Sequence, residues 1–203
     1  MAQVVDPEVS RAKFDREVAA YRRMEAAYRK RGWLLLDADF PEIFVVFAAT
    51  KIRPAPIVAG VVVDFTDYDL QPPSVRFVDP FTREKIIASD LQFQMLRRQP
   101  MPGVPPETIA AMVQQGALPV TQMIQANKAD DFPFICLPGV REYHDNPAHT
   151  GDSWLLHRGS GEGSLVFILE KIWVYGVDPL SAYNLQIQAK VVGLLPQAQG
   201  IPE

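Results

Sequence analysis

Between Trp33 and Val78, runs rich in Val, Ile and Phe follow one another with proline at the joints, and this pattern constrains the fold more than any other feature of the chain. Residues 33–36, 43–49 and 57–65 are separated by Asp39-Phe40-Pro41 and by Arg53-Pro54-Ala55-Pro56, and a fourth run, Ser74–Val78, comes after Pro72-Pro73. Branched and aromatic residues favour extended backbone, and short connections of this kind join antiparallel neighbours, so the segment reads as a meander. Ahead of it, residues 7–31 are charged, free of internal Pro and Gly, and carry Phe14, Val18, Tyr21 and Tyr28 at helical spacing. This predicts one long amphipathic first helix, opened by Asp6-Pro7 and ended by Gly32.

Beyond the meander, residues 79–132 hold Pro80, Pro100, Pro102, Pro105, Pro106 and Pro119 around one short helical pattern, 107–115. They are expected to form an irregular insertion lying over the core, and irregular stretches of that length are usually functional or mobile. Gly163-Ser164 then opens a second helix, 165–174, whose Leu165, Ile168, Leu169 and Ile172 make one apolar stripe, and Asp178-Pro179 closes the turn after it. Leu185, Ile187, Ala189 and Val191 alternate with polar residues, which predicts a half-buried last strand. Helix, meander, crossover and helix make an α+β plan, with helices against one face of an antiparallel sheet, in a single domain over residues 1–203.

The chain has 203 residues, 48% of them apolar, and a formal charge of -4. That composition suits one globular domain. It supplies no basic face for phosphates, so nucleic acid is excluded as a partner. A bilayer-crossing helix needs about 20 apolar residues and none is present, so neither a membrane nor a secretion signal is expected, and the chain should stay in the cytoplasm. Cys136 is the only cysteine, which fits a reducing compartment and leaves its thiol free for packing or chemistry. All three histidines, His144, His149 and His157, lie shortly after it, together with Glu142, Asp152 and Trp154. Residues so uncommon gathered in one stretch point to a site.

Several segments, in order, resemble a ubiquitin-conjugating enzyme. The helix and meander come first. Asp64-Phe65-Thr66-Asp67-Tyr68-Asp69-Leu70-Gln71-Pro72-Pro73-Ser74-Val75-Arg76-Phe77 is similar to that family's double-proline passage from third to fourth strand. Phe134-Ile135-Cys136-Leu137 resembles the run carrying its catalytic cysteine, and residues 164–180 resemble its crossover helix with terminal Asp-Pro-Leu. The chain departs from the eukaryotic pattern in the length between Pro73 and Cys136 and in lacking His-Pro-Asn before the cysteine, so the usual oxyanion asparagine is missing. With Cys136, Glu142, His144, His149 and His157 it looks like a bacterial family with one Cys, one Glu and two His, from ubiquitin-like conjugation operons of the antiviral-defence type.

That resemblance implies an acyltransferase that accepts a ubiquitin-like modifier from an activating enzyme as a thioester on Cys136 and passes it to a lysine of a target protein, with no cofactor. Thiolate suits the work as both nucleophile and leaving group, and a nearby imidazole raises its share. Glu142, His144 and His149 are candidates for the base that deprotonates the incoming amine. The oxyanion donor is left open between an imidazolium, Asn146 and backbone amides of the Pro138-Gly139 turn. His157 and Asp152 are expected to orient the others, and Trp154 to anchor packing. Arg22, Arg23, Arg29 and Arg31 on the first helix offer a surface for an acidic partner. The rival reading is a zinc-binding, non-catalytic module of the same system, with Cys136, Glu142, His144 and His149 as ligands, or His157 in place of His149. No Cys-x-x-Cys or helical His pair supports it.

Overall fold

The computed structural model describes residues 4–181. Four strands make the central sheet: β1 (Trp33–Asp39), β2 (Glu42–Ala48), β3 (Ile57–Asp64) and β4 (Ser74–Val78). They lie in chain order, antiparallel throughout, with Trp33 opposite Phe47, Ile43 opposite Val63 and Val61 opposite Phe77. The α+β class and the meander thus stand as expected. One face carries Trp33, Leu35, Ile43, Val45, Phe47, Val61, Val63, Val75 and Phe77 into the main core. The other holds a smaller apolar cluster of Phe44, Val46, Val62 and Val78, with the Arg83 guanidinium 4.5 Å above the Phe44 ring. With apolar residues on both faces, β2 reads as a continuous run rather than an alternation.

The first helical segment is two helices, not one: α1 (Pro7–Arg22) and α2 (Glu25–Lys30). Asp6 caps α1 through its side chain, which accepts from the Glu8 amide. No local residue breaks the helix; tertiary packing does. The turn at Arg23-Met24 swings α2 so that Tyr28 stacks on Trp33, centroids 4.5 Å apart and planes 9° from parallel, beside Tyr21 at 5.1 Å. Gly32 then adopts φ +86°, and its carbonyl accepts from the Ala48 amide at 2.8 Å. A Cβ there would sit 2.0 Å from the Ala48 oxygen, so only glycine lets the chain enter β1.

Residues 79–132 are more regular than expected. They hold β5 (Leu96–Arg98), α3 (Pro106–Gln114), β6 (Val120–Gln122) and β7 (Ile124–Gln125), with β5 antiparallel to β6. Strands of two or three residues are too short to show a period in the sequence. Nor does the segment merely lie over the core, because Phe93, Met95 and Met123 are buried within it. β8 (Phe134–Ile135) pairs with β7, and four short helical turns follow: α4 (Arg141–Asp145), a 3-10 turn (Pro147–His149), α5 (Trp154–His157) and a second 3-10 turn (Arg158–Ser160).

The last helix of the described chain is α6 (Leu165–Ile172), capped by Ser164. Its stripe is as predicted, with Leu165, Ile168, Leu169 and Ile172 all fully buried. The helix does not stop at 174 but widens into a π-helical turn over Trp173–Val177. Two contacts tie α6 to the N-terminal helices. The buried Glu17 carboxylate accepts from the Leu165 amide at 3.1 Å. Arg31 pairs with Glu170 at 2.6 Å, its guanidinium held between the rings of Trp33 and Trp173 at 4.7 and 3.8 Å. The strand expected over 185–191 lies outside the described residues.

Candidate active site

Cys136 follows the two residues of β8 and is the point where the chain leaves the core. Phe134 and Ile135 are buried, whereas Cys136 is half-buried and Phe132 is exposed. The Cys136 amide donates to the Met123 carbonyl at 2.7 Å, and the Met123 amide donates to the Met95 carbonyl at 2.8 Å, so the insertion holds the cysteine backbone from one side. Pro138-Gly139 then turns the chain. A Cβ on Gly139 would lie 1.9 Å from the Glu162 carbonyl oxygen, so the turn is pressed against the approach to α6.

Only one of the predicted partners reaches the sulfur. His149 Nε2 stands 3.5 Å from Cys136 Sγ. His149 sits at the end of the 3-10 turn, which Asn146 caps by accepting from the Ala148 amide. Burial pushes the Cys136 thiol above its ordinary range, while the Arg97 guanidinium on β5 pulls it down. The resting thiol therefore keeps its proton more readily than a free cysteine, with an imidazole beside it to take that proton.

The other candidates are committed elsewhere. Glu142 accepts from the Ser74 hydroxyl and from the Val75 amide at 3.2 Å, which straps α4 to the start of β4. Its carboxyl ionises above the usual range because it is buried, against the opposing pull of Ser74. His144 spans two carbonyls, Nε2 to Pro138 at 2.6 Å and Nδ1 to Asp152 at 2.9 Å, which leaves no ring nitrogen for the sulfur. His157 stands between two carboxylates, 2.6 Å from Asp152 and 2.6 Å from Glu162. Its ionisation is raised chiefly by the bond to Asp152, and Asp152 is held below the usual carboxylate range by Tyr143 and His157. Trp154 is the packing anchor expected, buried and donating to the Asp69 carbonyl at 3.0 Å.

Tyr143, Arg97, Arg141 and Glu162 are the participants the sequence reading passed over. The Tyr143 ring stacks on His149 with centroids 3.8 Å apart, and its hydroxyl donates to Asp152 at 2.6 Å. Its position between Glu142 and His144 was the available signal. Arg141 grips the double-proline corner: its amide donates to the Pro73 carbonyl at 2.9 Å and its side chain to the Pro72 and Thr66 carbonyls. Arg97 comes from a strand too short to be read, and no spacing in the sequence links it to Cys136.

For a zinc ion, Cys136 and His149 offer two ligands, but the predicted third and fourth are turned to Ser74, Val75 and two carbonyls. Among the described residues no three His, Cys, Asp or Glu side chains gather as such an ion requires. The residues present do not fit that ligand set. Of the first-segment arginines expected to face an acidic partner, Arg22 and Arg29 pair with Glu25 and Arg31 pairs with Glu170, while Arg23 makes no ion pair among the described residues.

The Y4jH-like family, described as the Y4jH family, matches residues 5–180. The chain belongs to the Y4jH family. This Y4jH-family chain is 54% identical over 201 residues to "Uncharacterized protein y4jH" of Sinorhizobium fredii (strain NBRC 101917 / NGR234), covering 99% of this chain and 98% of that protein. The match extends across the meander, the cysteine turn and α6 alike. Among the described residues of this family member, no helix is long and apolar enough to cross a membrane.

Proposed function

We propose that this Y4jH-family chain is a ubiquitin-conjugating-like acyltransferase, carrying a ubiquitin-like modifier as a thioester on Cys136 and passing it to an amine. The observation that carries the reading is the sulfur of half-buried Cys136 3.5 Å from His149 Nε2, at a turn leaving the sheet. The order of elements supports it: first helices, four-stranded antiparallel meander, double-proline corner, cysteine turn and apolar helix. So does the clamp of Arg141 on that corner, which joins the two segments that carry the resemblance.

In the first half-reaction His149 takes the thiol proton, and the sulfur attacks the carbonyl of the activating enzyme's thioester. The new carbon–sulfur bond forms as the old one breaks, and the activating enzyme's leaving thiolate takes the proton from His149, which returns to its neutral form. In the second, an amine attacks the same carbonyl, the carbon–nitrogen bond forms, and the Cys136 thiolate leaves. His149 is the base for the amine proton, since Glu142 is spent on Ser74 and Val75. The Cys136 and Leu137 amides donate to Met123 and Ile135 carbonyls. The Gly139 amide donates to no described acceptor, which makes it the oxyanion donor this turn can offer.

The test is one gel. The chain is mixed with an activating enzyme, ATP and a ubiquitin-like modifier encoded in the same genome. A reductant-sensitive adduct that is absent in Cys136→Ser is expected. No adduct, with an activating enzyme shown to be charged itself, overturns the reading.

A further inference from the structure

The pairing of Cys136 with His149 differs from a conventional nucleophile–base pair in how the base is held. Imidazole bases are commonly oriented by a carboxylate or carbonyl on the far nitrogen. Here the carboxylates near the site go elsewhere: Asp152 to Tyr143 and His157, Glu162 to His157, and Glu142 to Ser74. Among the described residues His149 Nδ1 has no hydrogen-bond partner. What fixes the ring is its face, lying 20° from parallel on Tyr143 at a centroid distance of 3.8 Å. The Tyr143 ring is fixed in turn at its far end, where the hydroxyl donates to Asp152 at 2.6 Å and Asp152 is braced by His157 at 2.6 Å.

We propose that Tyr143 is the positioning residue of this site: it sets the plane of His149 by stacking, and the Asp152–His157–Glu162 chain serves to hold Tyr143 rather than to exchange protons with the sulfur. The carboxylates thereby act on the thiol through an aromatic face instead of through a hydrogen-bonded imidazole. A stack restrains tilt while leaving rotation about the ring normal available, and such contacts are strong enough to bias a short turn. The role rests on Cys136 and His149 acting together, as in the proposed transfer, but it is tested on the thiol itself.

Three side chains bear on the sulfur or its base, namely Arg97 from β5, Tyr143 from α4 and His149 from the 3-10 turn. The experiment measures the rate of Cys136 alkylation by iodoacetamide at fixed pH, with far-ultraviolet circular dichroism confirming the fold of each variant. His149→Ala and Tyr143→Ala are each expected to slow alkylation about tenfold. Tyr143→Phe keeps the ring but drops the tie to Asp152, and should fall between them and the wild type. The double variant should be no slower than His149→Ala, because Tyr143 acts only through His149. In NMR spectra the His149 ring protons should lose an upfield ring-current shift in Tyr143→Ala and keep it in Tyr143→Phe. Additive losses in the double variant, or a His149 spectrum indifferent to Tyr143→Ala, would overturn the proposal. These outcomes stand apart from the adduct gel: thiol kinetics can follow Tyr143 with no modifier transferred, and transfer can occur with thiol kinetics that ignore Tyr143.

Discussion

His157 is the residue whose surroundings translate most directly into a measurement. With Asp152 and Glu162 each 2.6 Å away, its folded-state ionisation is raised, chiefly by Asp152, above the ordinary value of 6.5. A raised value means that folding favours the protonated ring. The stabilisation is therefore complete below the ordinary histidine value and is lost as pH rises through the folded one. The urea midpoint of the wild type should exceed that of His157→Gln by most below the ordinary histidine value of 6.5, and the gap should narrow as pH rises above it. A gap of constant size would mean that His157 contributes by packing and not by charge. At this scale the sequence showed where uncommon side chains gather but not what each touches. The cluster of histidines after Cys136 was visible, yet the sulfur is reached by His149 alone. Side-chain direction in a run of short turns follows from cap geometry and from contacts made by distant strands, neither of which has a period.

The short helix α4 matters as a joint between segments more than as a helix. Glu142 strips the Ser74 hydroxyl and the Val75 amide of their need for water on the edge strand β4, while Arg141 holds the prolines before it. Removing the carboxylate orphans both donors. Glu142→Ala is expected to cost about 2 kcal/mol in urea unfolding, with alkylation of Cys136 little changed in the fraction that stays folded. Lost transfer at unchanged stability would return Glu142 to the chemistry. Long elements were the legible ones. The buried stripe of α6 and the strands β2 and β3 were read nearly to the residue, because a repeat over many residues is set by the core itself. The break at Met24 was not legible, since it depends on Tyr28 finding Trp33. The same holds for β5 to β8, whose register comes from partners and not from their own two or three residues.

Across the whole molecule, the insertion and the cysteine turn form one mechanical unit. Phe93, Met95 and Met123 reach the main core, and the backbone bonds from Met95 to Met123 to Cys136 run from that core to the sulfur. Met95→Ala should lower stability by about 3 kcal/mol, the usual effect of emptying a buried methionine site, and should also broaden the Cys136 amide signal in NMR spectra. A stability loss with that signal unchanged would show that the strand pairing survives without the side chain. The other long-range fastening joins the first helices to α6, through Glu17 on the Leu165 amide and Arg31 between Trp33 and Trp173. During synthesis the N-terminal part emerges from the ribosome long before residues 165–173 do, by an interval on the order of ten seconds. Throughout that interval Trp33, Phe47 and Tyr21 have no lid, and the nascent meander is a natural client for a chaperone that shields apolar surface.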